Sequence, residues 1–314
     1  MQNLSEYALK PRHILVHNPK TDDELLPVSS DNLATYNFLA APDPEQLYAQ
    51  YGMFLDALHG LGMHAIELRD LLSKAQREYF DSIPNPNSMF TRDPVITLPW
   101  AQSVFIKSRM RLASRHIEPA IMARALVNFG MEQILTFDGD EYLEGGDVLP
   151  VVMQGKRVLI VGIGGRTSEA AVRRLATVLF PEYADVVIGV QHHTDVLHLD
   201  TGLSFVDERT ILAADDTFLQ GFMIDAAGNT RDIEADSYAK QLGFEILRIP
   251  RRQAIDSETC NLLPLGDGVF LSFRLSDEIK TALTTQRGIK LHEIDGSELA
   301  KTAGGIHCLT RPLY

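Results

Sequence analysis

Cys308 stands in the run Gly304-Gly305-Ile306-His307-Cys308-Leu309-Thr310. A cysteine there is either a buried apolar residue or a nucleophile. The diglycine leaves the thiol sterically open, and a histidine adjoins it; access and a polar surround are what a reactive thiolate needs. A second group, His192, His193, Asp195, His198 and Asp200, is dense in potential metal ligands. On a strand, His198 and Asp200 would share one face, with Leu197 and Leu199 on the other. The pair then reads either as polar surface or as a catalytic couple. A metal site lacks support, because neither a helical H-x-x-x-H nor a Cys/His cluster accompanies the run.

Three further segments carry weaker signals. Phe90-Thr91-Arg92-Asp93-Pro94 follows the turn-rich Pro84-Asn85-Pro86-Asn87. In extended form it turns Thr91 and Asp93 one way and Arg92 the other, and taken alone it is a loop with a surface Arg–Asp pair. Glu144-Gly145-Gly146-Asp147 brackets a diglycine with two carboxylates, and its glycines permit either close backbone approach or positive φ. Gly162-Ile163-Gly164-Gly165, between a strand and a helix, suggests a dinucleotide turn. The full fingerprint requires glycine at position 167, where Thr167 stands, so a tight turn with Thr167 as the helix cap is expected instead.

The elements that must position these residues alternate short apolar strands with amphipathic helices. Strands are expected over residues 12–17, 63–68, 133–137, 157–163 and 289–294, and helices over 44–62, 118–129, 167–180 and 276–286. Further strands starting at Leu197, Leu203, Thr210 and Val269 have no helix between them, so strands outnumber helices and a doubly wound sheet fits poorly. A strand-strand-helix-strand rhythm returns about five times. No low-complexity linker divides the chain.

The 314 residues and 45% hydrophobic content are those of a globular chain with a large core. A formal net charge of −13 argues against a nucleic-acid or anionic-membrane partner. Two cysteines, Cys260 and Cys308, make neither a disulfide framework nor a zinc pattern. The opening run Met1-Gln2-Asn3-Leu4-Ser5-Glu6 lacks the basic start and apolar stretch of a signal peptide, and no stretch is long and apolar enough to span a membrane. A cytoplasmic setting with free thiols is the expectation.

Taken together, Asn87-x-x-Phe90-Thr91-Arg92-Asp93, Glu144-Gly145-Gly146-Asp147, His198-Leu199-Asp200-Thr201 and Gly304-Gly305-x-His307-Cys308 resemble the guanidine-modifying enzymes of the pentein superfamily in order and spacing. Those are the arginine deiminases, dimethylargininases, agmatine deiminases and amidinotransferases. The likeness covers nearly the whole chain. It is nearest to arginine deiminase, through the Phe-Thr-Arg-Asp and His-Leu-Asp-Thr runs and the continuation Val148-Leu149-Pro150. The resemblance implies an α/β fold, the five-bladed α/β propeller, as a single catalytic domain over residues 1–314. Its units would be of ββαβ type, roughly sixty residues each. The chain is too short for the extra helical insertion of many bacterial arginine deiminases.

The same resemblance implies roles. Cys308 would be the nucleophile. His198 would act as acid and then base, and Glu144 would orient it. Asp93 and Asp200 would accept the guanidinium hydrogens. Asn87 would hold the α-amino end of the substrate, with Arg115 and Arg166 on its carboxylate. An arginine expected five residues before the cysteine is replaced by Ala303, with Lys301 as the nearest substitute. The implied reaction is hydrolysis of an arginine-like guanidino group to a ureido product and ammonia through an S-amidino intermediate, without metal or organic cofactor. A dimethylargininase, or an amidinotransferase passing the amidino group to an amine, is one rival reading. A non-catalytic propeller that binds a partner is the other, and the presence of Cys308 and His198 weighs against it. The only implied partner is the small guanidino substrate; homo-oligomerisation stays open.

Overall fold

The computed structural model describes all residues except Met1, Gln2, Asp23 and Pro84, together with the side chain of Asp22. Pro84 of the turn-rich stretch and the first two residues of the N-terminal run therefore lie outside the described residues.

Among the described residues, the strands form five separate sheets, and each contains the same three-strand pattern. A central strand pairs antiparallel with one neighbour and parallel with the other. In the first, His13–Val16 lies antiparallel to Arg311–Leu313 and parallel to Ala65–Glu67, so the two ends of the chain meet in one sheet. In the second, Ala101–Lys107 pairs with Val95–Leu98 and Glu132–Leu135. In the third, Lys156–Ile163 pairs with Val148–Met153 and Val186–His192. In the fourth, Thr210–Ala214 pairs with Leu203–Phe205 and Glu245–Ile249. In the fifth, Val269–Phe273 pairs with Leu263–Pro264 and Lys290–Ile294.

A parallel neighbour requires a crossover, and helices supply it. Pro44–Gly60, Glu118–Phe129, Glu169–Leu179, Ala235–Gln241 and Asp277–Arg287 each precede the parallel strand of their sheet. The fourth crossover also contains the hairpin Phe218–Asp225 and Thr230–Glu234. That hairpin joins the third sheet beside Val186–His192 and widens it to five strands.

The crossover helices form where side-chain caps and apolar spacing coincide. Asp43 accepts the Gln46 amide at the start of Pro44–Gly60, and Leu47, Tyr51, Phe54 and Leu58 recur on its buried face. Burial of Leu47, Phe54 and Leu58 stabilises the fold by about 1.5–3 kcal/mol each. Ser276 caps Asp277–Arg287 in the same way, and Gly288 ends it in the left-handed conformation.

Two sequence expectations about local structure are corrected. Ser168, not Thr167, caps the helix Glu169–Leu179: the Ser168 hydroxyl accepts the Ala171 amide. Thr167 is instead drawn inward by its bond to Asp147, at 2.6 Å. No strand starts at Leu197, because Leu199–Gly202 is one helical turn with His198 at its N-cap position. The Leu199 amide donates to Asp147 Oδ1 of a distant segment, and the Thr201 hydroxyl donates to the His198 carbonyl within the turn. His198 and Asp200 are thus presented from a turn rather than from alternate positions of a strand.

Candidate active site

The residues of Phe90-Thr91-Arg92-Asp93 form a turn in which all four side chains are buried. The expected surface pair between Arg92 and Asp93 does not exist. Arg92 donates to Glu6 at 2.6 Å, while Asp93 accepts Arg115 Nη1 at 2.8 Å and the Gly146 amide at 3.1 Å. A fully buried Arg would be costly without a partner, and Glu6 provides one.

The Glu144–Asp147 motif supplies close approach, not positive φ. A Cβ on Gly145 would lie 2.1 Å from the Arg92 carbonyl oxygen, and one on Gly146 would lie 2.9 Å from both Asp93 Oδ1 and the His198 ring. The motif therefore lets three chain segments converge. Glu144 accepts the Arg111 amide at 2.8 Å through Oε1 and meets His198 Nε2 at 2.7 Å through Oε2. His198 Nδ1 is buried, has no hydrogen-bond partner, and lies 3.6 Å from Asp93 Oδ1.

Burial disfavours a charged His198, but Asp93 and the bond to Glu144 outweigh it and lift the imidazole to about 9. Burial would likewise push Asp93 up, yet His198 and Arg115 hold it down at about 2. At neutral pH the two form a charged couple, with the imidazolium able to donate.

Cys308 lies in a turn, 2% exposed, so the diglycine does not lay the thiol open to solvent as expected. Its glycines make room instead. A Cβ on Gly304 would meet the Phe90 ring at 2.4 Å, and one on Gly305 would meet Asn261 Oδ1 at 2.6 Å. Asn261 grips the cysteine from both sides, donating from Nδ2 to Sγ at 3.2 Å and accepting the Cys308 amide at 3.1 Å. Asp200 Oδ2 is 3.8 Å from Sγ and 2.7 Å from His307 Nδ1. Burial raises the thiol well above its ordinary range, and Asp200, Asp93 and Glu258 raise it further. Glu258 is a buried carboxyl pushed up to about 8, first by burial and then by Asp200.

Cys308, His198 and Asp93 face a cavity of about 290 Å³, including its mouth, lined also by Tyr36, Asn87 and Arg166 among others. Asn87 donates to the Tyr36 carbonyl, while its Oδ1 is buried and unpartnered. Arg166 has one contact among the described residues, at 3.4 Å to Glu144. Arg115 also lines the cavity, but each of its guanidinium nitrogens is engaged, Nε and Nη2 by Glu118 and Nη1 by Asp93. Lys301 points elsewhere: its ammonium pairs with Glu298 at 2.7 Å. Ala303 lines the cavity at φ 61°.

Asp200 and Glu144 lie behind this lining, in contact with Cys308 and His198 respectively. Sequence reasoning missed Asn261, Glu258 and Glu6, which carry no motif and reach the site only through long-range contacts. Among the described residues, Asp93, Glu144 and His198 are close enough to hold a cation together. Arg115 and Arg166 already bond these carboxylates, which suits a hydrogen-bonded network better than a metal.

Solved structures share this architecture. The N-terminal domain of ArgZ, described as an arginine dihydrolase from the ornithine-ammonia cycle in cyanobacteria, aligns with 96% of this chain and 97% of its own length, with a TM-score of 0.71 at 18% identity. DDAH from Pseudomonas aeruginosa, solved with citrulline, aligns with 97% of this chain and 100% of its own, with a TM-score of 0.67 at 20% identity. Likeness at that identity defines the fold alone. The family is defined by sequence: residues 15–314 match the model of the arginine deiminase family, and the chain belongs to that family and thereby to the pentein superfamily. Arginine deiminases from Listeria welshimeri and Lactococcus lactis are 26% identical over 274 and 284 residues. The alignments take in 78% and 79% of this chain but 65% and 66% of those proteins, so the chain spans less than two thirds of their length. Among the described residues, no helix is long and apolar enough to cross a membrane.

Proposed function

We propose that this chain is a cytoplasmic, cofactor-independent cysteine hydrolase that converts the guanidino group of arginine, or of a close relative, to a ureido group and ammonia. The observation that carries the reading is convergence: Cys308, His198 with its unpartnered Nδ1, and Asp93 line one small cavity, and the Asp200 carboxylate stands behind it, 3.8 Å from Sγ. A planar guanidinium fits two opposed carboxylates by the fork geometry of arginine–carboxylate pairs.

The thiol of the free protein is held neutral. A guanidinium seated between Asp93 and Asp200 offsets the carboxylates that raise it, so substrate binding itself promotes the thiolate. The thiol proton passes to solvent, Sγ bonds to the guanidinium carbon, His198 gives its proton to a terminal nitrogen, and that C–N bond breaks to release ammonia. Neutral His198 next takes one proton from water and the oxygen bonds to the same carbon; the C–S bond then breaks, the second water proton returns the sulfur to its neutral thiol, and the ureido product leaves. Asn261 donates to the sulfur as it gains charge. Asn87 Oδ1, an acceptor with no partner, suits the α-ammonium, and Arg166 suits the carboxylate. Arg115 serves by orienting Asp93.

The repeated sheet pattern, with both chain ends sharing a sheet, supports a five-bladed propeller of ββαβ units that forms one catalytic domain. Incubating purified protein with L-arginine, methylarginines and agmatine, and identifying the products, tests the reading. A ureido compound and equimolar ammonia are expected. A new guanidino compound formed only with an added amine would make the chain a transferase. Inertness towards the whole panel would remove the hydrolase reading.

A further inference from the structure

Glu6 stands nine residues before the span that matches the family model, yet its side chain is buried. The turn that carries it is pinned to the strand Val148–Met153. The Glu6 amide donates to the Pro150 carbonyl at 3.0 Å, and the Ser5 hydroxyl accepts the Val152 amide at 2.7 Å. Glu6 Oε1 accepts Arg92 Nη1 at 2.6 Å and faces His307 Nε2 at 3.3 Å. The other ring nitrogen of His307 faces Asp200 Oδ2 at 2.7 Å. Asp200 is the carboxylate beside Cys308.

A carboxylate only accepts hydrogen bonds, and neutral imidazole has one N–H. With a carboxylate on each nitrogen, His307 fills both bonds only when both nitrogens carry hydrogen. We propose that Glu6 is a positioning residue for Asp200: it keeps His307 doubly protonated, so that the imidazolium fixes one Asp200 oxygen and leaves the other for the guanidinium. Glu6 itself is held well below the usual carboxylate range, since Arg92 and His307 outweigh the effect of burial. Among the described residues, the groups facing the pair are Asp200 on the far side of His307, and Arg92, Arg311 and the buried Tyr314 around Glu6. The kinetic consequence rests on the reading that Asp200 receives the guanidinium; the protonation of His307 does not.

The test is a nitrogen-15 spectrum of the full chain with labelled histidine at neutral pH, the His307 signals being assigned by their loss in His307→Gln. Two protonated ring nitrogens are expected in the wild type. In Glu6→Gln, which keeps an acceptor for Arg92, one nitrogen should lose its hydrogen. KM for L-arginine should then rise about tenfold with kcat changed less than about threefold, the signature of weakened substrate holding. A wild-type spectrum with one bare ring nitrogen overturns the proposal, as does a Glu6→Gln spectrum identical to wild type. Because the spectrum needs no turnover, failure of the hydrolase reading and failure of this one are told apart. Should Glu6→Gln not fold, the wild-type spectrum decides alone.

Discussion

His198 gives Nε2 to Glu144 at 2.7 Å and leaves Nδ1 buried and unpartnered at the cavity, 3.6 Å from Asp93. One nitrogen is thus anchored and the other is available, which is the arrangement a proton-transfer residue needs.

Because His198 is lifted to about 9, its acid form predominates at neutral pH and is lost as pH rises through that value. The pH profile of kcat/KM for L-arginine should therefore fall on a basic limb near pH 9. Glu144→Gln removes the charge that helps hold the proton, so the limb should move to lower pH. Its rate should drop by about 10- to 100-fold, less than the full 10²–10⁴-fold of a general acid–base group because His198 itself remains. An unmoved limb would show that His198 is not the group titrating.

The two glycines of the Glu144–Asp147 motif should be intolerant of a methyl group. Gly145→Ala drives its Cβ against the backbone carbonyl of Arg92, which cannot yield without moving the Phe90–Asp93 turn. A loss of about 3 kcal/mol or more is expected in denaturant titrations. Gly52→Ala is the control. That Cβ meets nothing within 4 Å and sits inside the helix Pro44–Gly60, so a gain of about 0.5–1 kcal/mol is expected.

Thiol reactivity should depend on the charge of the reagent. The free protein holds Cys308 neutral, and burial also raises Cys260 far above its ordinary range. Iodoacetamide should thus label both slowly at pH 7. A cationic halo-amidine, which brings its own positive charge between Asp93 and Asp200, should label Cys308 much faster, and arginine should protect it. Equal rates for the two reagents would remove substrate-promoted ionisation.

Stability should decline on the alkaline side. His17, buried between Glu24 and Glu67, reaches about 10, the carboxylates outweighing its burial, and His198 reaches about 9. A histidine whose folded value is raised contributes stability that is complete below its unfolded value, about 6.5, and is lost as pH rises through the folded one. Denaturant midpoints should therefore fall between pH 6.5 and 10. His17→Gln should reduce the slope across that window. On the acid side, Asp93 contributes stability that is lost as pH falls from its ordinary value through about 2.

Much of the fold was legible because helices with strong apolar spacing declare themselves; the helix Glu118–Phe129 falls where its sequence places it. The five-times-repeated rhythm corresponds to five sheets. What could not be read locally was tertiary bonding. The segment around His198 alternates like a strand, but Asp147, from another motif, bonds the Leu199 amide and the chain turns. Thr167 looks like a cap until Asp147 claims its hydroxyl. Arg115 gives no sign in sequence that Asp93 and Glu118 engage its guanidinium. Asn261 and Glu6 lie 47 and 301 residues from their partners Cys308 and His307, beyond any periodicity.

The proposed attack by Cys308 on the guanidinium carbon would leave a covalent mark, which is the most direct thing to measure. Protein acid-quenched during turnover of L-arginine and analysed by mass spectrometry should carry arginine less one ammonia on the peptide containing Cys308. Cys308→Ser should show neither the adduct nor citrulline. Citrulline produced at the wild-type rate by Cys308→Ser would contradict nucleophilic catalysis by this cysteine.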